Sequence, residues 1–233
     1  MAFLTAQTWA FIFGILGNIV SFLVFLAPVP TFYTIYKRKS SEGFQVLPYS
    51  VALLSASLLL YYAFLKPNTY IISINGMGCL IELIYLLIHV IYSPKKTKIS
   101  TSGMVLLFNV GGLGVIMAVS LLVVKGSSRV TLIGWVCAAI NLAVFAAPLS
   151  IMRQVIRTKS VEFMPFTLSF FLTICSKMWF FHGYFIRDYY IALPNVMGFL
   201  FGIVQMTLYF IYKDAKQDVD PNLKLEGLMI IMN

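Results

Sequence analysis

Seven apolar runs, each close to the roughly 20 residues that a membrane helix needs, alternate with short polar stretches along the chain. They lie at 8–36, 46–65, 70–92, 103–124, 131–155, 166–186 and 190–212. At about 1.5 Å per helical residue, each predicts one crossing of a hydrocarbon core roughly 30 Å thick. The fold class expected is therefore an all-α membrane protein of seven transmembrane helices. The first run lacks a basic flank before it and is too long for a cleavable signal, so it is expected to stay in the mature protein. The stretch from 214 to 233 is expected to form a short cytoplasmic tail.

A passage that occurs twice sets the internal organisation. The first copy, FLAPVPTFYTIYKRKSSEGFQVLPY, begins at Phe25; the second, FAAPLSIMRQVIRTKSVEFMPF, begins at Phe145. Pro28 and Pro148 are 120 residues apart, and the same interval relates Val24 to Val144, Lys39 to Lys159, Ser40 to Ser160, Glu42 to Glu162 and Asn75 to Asn195. Matches at one fixed offset indicate duplication. The closing prolines, Pro48 and Pro165, fall off that interval, so the second copy reads as three residues shorter there. Three spans joined directly to three more would invert the second copy. An unmatched fourth helix restores its direction, giving two parallel three-helix bundles joined by a linker helix (3+1+3), with a path at their interface. The divisions expected are 8–92, 103–124 and 131–213.

Composition supports a bilayer: 60% of the 233 residues are hydrophobic, 11% are charged, and the mean hydropathy is +0.90, too apolar for a soluble domain of this length. The net charge of +9 does not point to nucleic acid, because the cations sit in short loops. Twelve of them (Lys37, Arg38, Lys39, Lys95, Lys96, Lys98, Arg153, Arg157, Lys159, Lys213, Lys216, Lys224) fall on one side, against Lys66, Lys125, Arg129 and Arg187 on the other. The positive-inside rule then puts the N-terminus outside the cytoplasm and the C-terminus within it. Cys79, Cys137 and Cys175 lack metal-ligand spacing, and no nucleophile stands with a base, so neither a metal, a cofactor nor an enzyme is expected.

The paired proline passages, the INGMG and PNVMG stretches around Asn75 and Asn195, and the block FAAPLSIMRQVIRTKSVEFMPFTLSFFLT resemble the plant SWEET sugar facilitators of the MtN3/saliva family. The LLLYY run from Leu58 to Tyr62 further resembles nectary members of the clade that moves sucrose. The resemblance implies a facilitative uniporter for sucrose, with glucose as a further substrate, working by alternating access in the plasma membrane. It implies a sugar and the lipid bilayer as partners, and leaves a homo-oligomer open.

Residue by residue, the resemblance makes Pro28, Pro48, Pro148 and Pro165 a tetrad of hinges at the cytoplasmic mouth. A proline inside a helix removes a donor and strains the preceding turn, so Pro28 and Pro148 are expected to loosen their helices one or two turns from the cytoplasmic end. Pro48 and Pro165 also suit plain helix starts. Asn75 and Asn195 correspond to the sugar-binding pair; an amide has two donors and two acceptors, which suits a polyol, although bonding between helices would also satisfy it. Around them the resemblance places Val24, Val144, Ser55, Cys175, Leu59 and Trp179. Leu59 and Cys175 depart from the tryptophan and serine common in the family, leaving one aromatic wall. Tyr62 and Asp188 correspond to an outer gate, with a solvated Asp188 beside Arg187 as the plainer alternative.

Three ionisable or polar groups, Asn75, Glu82 and His89, repeat at intervals of seven and share a helix face. They suit a proton relay, the basis of an alternative identity as a proton-coupled exporter; the resemblance to uniporters favours instead a structural Glu82 bonded to a neighbouring helix. A seven-helix receptor is a third option; against it stand the 120-residue duplication and the unmatched fourth helix, which a receptor bundle does not require. Lys177, near the middle of the sixth span, is expected to point away from Cys175 and Trp179.

Overall fold

The computed structural model describes residues 5–213 apart from 145, 162, 163 and 165. The tail beyond 213 and Pro165 lie outside the described residues. Helices account for every element among them: α1 (Ala6–Leu26), α2 (Val29–Arg38), α3 (Leu47–Leu65), α4 (Thr69–Ile91), α5 (Lys95–Val105), a π-helical segment (Leu106–Gly112), α6 (Leu113–Leu122), α7 (Ser127–Val144), α8 (Ala146–Thr158), α9 (Phe166–Phe185) and α10 (Tyr189–Tyr212). With the broken helices counted whole, these make the seven expected spans. Six are long and apolar enough to cross a membrane; the one left out is the sixth in order, α9, which carries Lys177, His182, Ser169, Thr173 and Ser176.

The helix ends follow from local chemistry. Asn68 caps α4, its side chain accepting from the amides of Tyr70 and Ile71 at 3.1 and 3.2 Å, which satisfies donors left open in a first turn. Asp188, 120 residues on, occupies the same cap position of α10. Arg129 closes the other end of the linker helix by donating to the carbonyls of Ser120, Leu121 and Val124, where a cation also suits the helix dipole. The fourth span begins at Lys95, eight residues before the apolar run, because a polar stretch after Pro94 is helical without being hydrophobic.

The first proline passage interrupts a helix. α1 ends two residues before Pro28 and α2 begins one after it, whereas Phe145, between α7 and α8, lies outside the described residues. The interruption thus falls on the N-terminal side of Pro28, where its ring conflicts with the carbonyl four residues back; that carbonyl belongs to Val24. Pro28 and Pro148 lie nearly three turns from the ends of α2 and α8 rather than one or two, because both helices run on into basic residues past the apolar stretch. Lys39 and Lys159 then end them in the left-handed conformation, with φ of 55° and 52°.

Two compact units divide the chain, with borders a few residues before Pro28 and Pro148: one is Phe25–Asn141, the other combines the described residues up to Val24 with those from Leu142 onward. In the first unit Phe32, Ile35 and Tyr85 form a buried cluster against Phe44, Tyr49, Ile81, Ile88 and Tyr92. In the second, Met152, Val155 and Met164 do so against Ile151, Val161, Phe201, Leu208, Tyr209 and Tyr212. Phe32 and Met152, Ile35 and Val155, Phe44 and Met164, and Tyr92 and Tyr212 are each 120 apart. Lys39 Nζ donates to the Tyr92 hydroxyl at 3.2 Å, and Lys159 Nζ to that of Tyr212 at 3.0 Å.

The interval therefore runs unbroken through the loop, which corrects the expectation of a shorter second copy. Phe44 N donates to Ser41 O, and Met164 N to Val161 O, in matching turns. The chain keeps its length; the proline has moved along it.

Candidate functional site

Asn75 is the seventh residue of α4 and Asn195 the seventh of α10, each about two turns in. Asn75 is 8% exposed, and its Nδ2 donates to Ile71 O at 2.9 Å; Asn195 Nδ2 donates to Ile191 O at 2.7 Å. Each amide is fixed by its own helix through one hydrogen. The second hydrogen and the carbonyl oxygen are not used in that bond, so each amide presents one donor and one acceptor in a fixed orientation.

Within the second unit, Trp179 is anchored from α1. Its Nε1 donates to Ser21 Oγ at 2.8 Å, and Ser21 Oγ lies 3.1 Å from Cys175 Sγ. Gly17 makes room for the ring: a Cβ there would stand 3.1 Å from Trp179 Cε2. Within the first unit, Ser55 donates to Asn141 Oδ1 at 3.3 Å, and Asn141 Nδ2 donates to Cys137 O at 2.8 Å. Ser21 and Asn141 are 120 apart, as are Ser55 and Cys175, so the two bonds are copies of one another. Leu59, the counterpart of Trp179, is half-buried and has no N–H to repeat the indole bond.

Sequence reasoning missed Ser21 and Asn141. Each lies three residues before Val24 or Val144 on the same helix face, so the repeat interval applied to that face would have found them. Val24 is half-buried and Val144 exposed, lying four residues before Pro28 and Pro148. Pro28 and Pro148 are half-buried, and Pro48, exposed, is the second residue of α3. Tyr62 and Asp188 are 1% and 2% exposed, which removes the solvated alternative for Asp188.

Glu82 is buried, and its Oε2 has no hydrogen-bond partner among the described residues. The expected bond from a neighbouring helix is missing at that oxygen. His89 does not extend it into a relay: its Nε2 pairs with Phe44 O at 3.3 Å and its Nδ1 with Ser93 Oγ at 3.2 Å. Lys177 is exposed while Trp179 is buried and Cys175 half-buried, as the helical periodicity requires.

The family model described as "Sugar efflux transporter for intercellular exchange" (MtN3_slv) matches the chain twice, over residues 11–97 and 131–217. The chain belongs to the MtN3/SWEET family. The SWEET chain is 62% identical to the bidirectional sugar transporter NEC1 of Petunia hybrida, over all of its length and 91% of the relative's. It is 57% identical to the bidirectional sugar transporter SWEET9 of Arabidopsis thaliana, over 91% of the chain and 83% of the relative. Its fold matches a solved eukaryotic SWEET transporter with a TM-score of 0.85 and 33% identity, covering 89% of this chain and 98% of that one. This is a family of membrane transporters, not of enzymes.

Proposed function

We propose that the protein is a uniporter that moves sucrose, and glucose as a lesser substrate, down its gradient by alternating access. The observation that carries this is the matched pair Asn75 and Asn195, each held by a back-bond to the carbonyl four residues earlier, in a chain whose relatives are bidirectional sugar transporters. A sugar hydroxyl both donates and accepts, and a fixed amide offers both. Trp179 supplies an apolar plate for the C–H face of the ring. Ser55, Cys175, Val24, Val144 and Leu59 complete the site in this reading.

The repeats are 8–92 and 131–213, with 103–124 as the linker between them. Pro28, Pro48, Pro148 and Pro165 serve as hinges and Tyr62 with Asp188 as the outer gate. The N-terminus faces away from the cytoplasm and the membrane is the plasma membrane, in keeping with the twelve-to-four distribution of loop cations.

Radiotracer uptake of sucrose and glucose, in cells that transport neither, tests the proposal. Asn75→Ala and Asn195→Ala should each lower uptake about tenfold or more, since each removes hydrogen bonds to a buried ligand, while surface amounts match the parent. Normal uptake by both variants would overturn the assignment.

A further inference from the structure

Tyr85 of α4 touches both sides of the interruption in the first helix. Its hydroxyl donates to the carbonyl of Phe25, the last residue but one of α1, at 2.8 Å. A helix's last carbonyls lack partners within it, and this one is supplied from another span. Beyond the break, the Tyr85 ring stacks on Phe32 of α2, with centroids 4.3 Å apart and planes at 12°. Tyr49 of α3 packs edge-on against both rings, at 4.8 Å from Phe32 and 5.9 Å from Tyr85. Phe25 itself is seated against α4, where a Cβ on Gly78 would come within 2.6 Å of its ring.

The second copy is built differently. Met152, Ser169 and Gln205 stand where the first has Phe32, Tyr49 and Tyr85, each 120 residues on. No ring or phenol occupies those three positions. A thioether chain and an amide adapt to several arrangements, whereas a stacked ring pair with a directed hydroxyl favours one.

We infer that Tyr85 is a positioning residue for transport: it splints the helix-1 hinge at Pro28, and so sets the balance between the transporter's alternating conformers. The first hinge is thereby the restrained one and the second the compliant one. This rests on the transport function proposed above. Tyr85 does not touch sugar; it acts by tying Phe25, before the break, to Phe32, beyond it.

Losing one buried hydrogen bond changes a two-state balance about two- to tenfold. Apparent affinity at each membrane face scales with the fraction of molecules open to it. In Tyr85→Phe, which keeps the stack and loses the hydroxyl, the KM for uptake and the KM for efflux should move in opposite directions, changing their ratio by about two- to tenfold. Phe32→Leu, which removes the stack beyond the break, should move the ratio the same way. Tyr92→Phe, one helix turn beyond His89, should leave it unchanged. A purely structural role would lower transport in both directions with both KM values intact, and that result would overturn the inference.

Amide hydrogen exchange in nanodiscs separates this outcome from failure of the transport assignment. The amides flanking Pro28 should exchange about two- to tenfold faster in Tyr85→Phe whether or not sucrose is the substrate. Unchanged protection would sink the splint alone. A parent protein that moves no sugar would sink the transport assignment and leave the exchange result to decide the hinge.

Discussion

Ser21→Ala tests how Trp179 is held. In the parent the indole N–H has a buried acceptor at 2.8 Å, in a span where no bulk water can replace it. The substitution deletes the acceptor and leaves a buried donor open, which costs about 1–3 kcal/mol. At roughly 2–4 °C per kcal/mol for a chain of 150–250 residues, the thermal midpoint in detergent should fall by about 2–12 °C. Trp179→Phe removes the donor instead, and adds a cavity cost for the lost second ring. Absolute losses from the two variants therefore mix several effects; the double variant isolates the bond. With both partners gone no donor is orphaned, so Ser21→Ala/Trp179→Phe should be less damaging than the sum of the single changes by about 0.5–3 kcal/mol. Size-exclusion after heating, with purified protein in one detergent, reads all four midpoints. Additivity within about 0.3 kcal/mol would refute the account, because it would mean that the indole orientation does not depend on Ser21.

Two further outcomes follow from the ionisable groups in the spans. Lys177→Val should leave sugar affinity unchanged and raise the thermal midpoint or the yield in detergent, since a mid-span lysine carries an insertion cost of about 2.5–3.5 kcal/mol and Lys177 is exposed beside a buried Trp179; a large loss of affinity with folding intact would place the lysine in the site. Glu82→Gln keeps the shape of a buried side chain whose Oε2 has no partner and removes its ability to ionise, so uptake should persist within about twofold and remain insensitive to a protonophore; abolished uptake in this variant, or arrest by the protonophore in the parent, would favour proton coupling.

The spans were legible in the sequence because burial in lipid is a property summed over twenty residues, and errors at single positions average out. α3 begins at Leu47 and α10 ends at Tyr212, within one residue of the apolar runs. The polar start of α5 was not legible for the same reason: helicity at Lys95 to Lys98 owes nothing to hydrophobicity. The duplication exposed Asn75 and Asn195 because identical residues recur at one interval. It concealed Ser21 and Asn141, since equivalent positions there hold different side chains doing the same work, and identity alone does not register that. Glu82 shows a further limit. A carboxyl in a span suggests a partner on a neighbouring helix, but sequence spacing shows only which face it takes, not whether a donor meets it.

The partners of the first helix lie far along the chain. Trp179 follows Ser21 by 158 residues, and His182, whose Nδ1 donates to Ala10 O at 2.8 Å, follows Ala10 by 172. At about 5–20 residues per second of synthesis, α1 waits roughly 8–35 s in the membrane before those side chains exist. A helix itself forms in about a microsecond. During that wait α1 keeps Gly17 and Ser21 uncovered, and any small-residue face of another nascent span can compete for it. The late-arriving α9 must then displace whatever has settled there. Substitutions on the Gly17 and Ser21 face should accordingly act on the yield of assembled protein during biosynthesis, beyond their effect on the stability of molecules already complete.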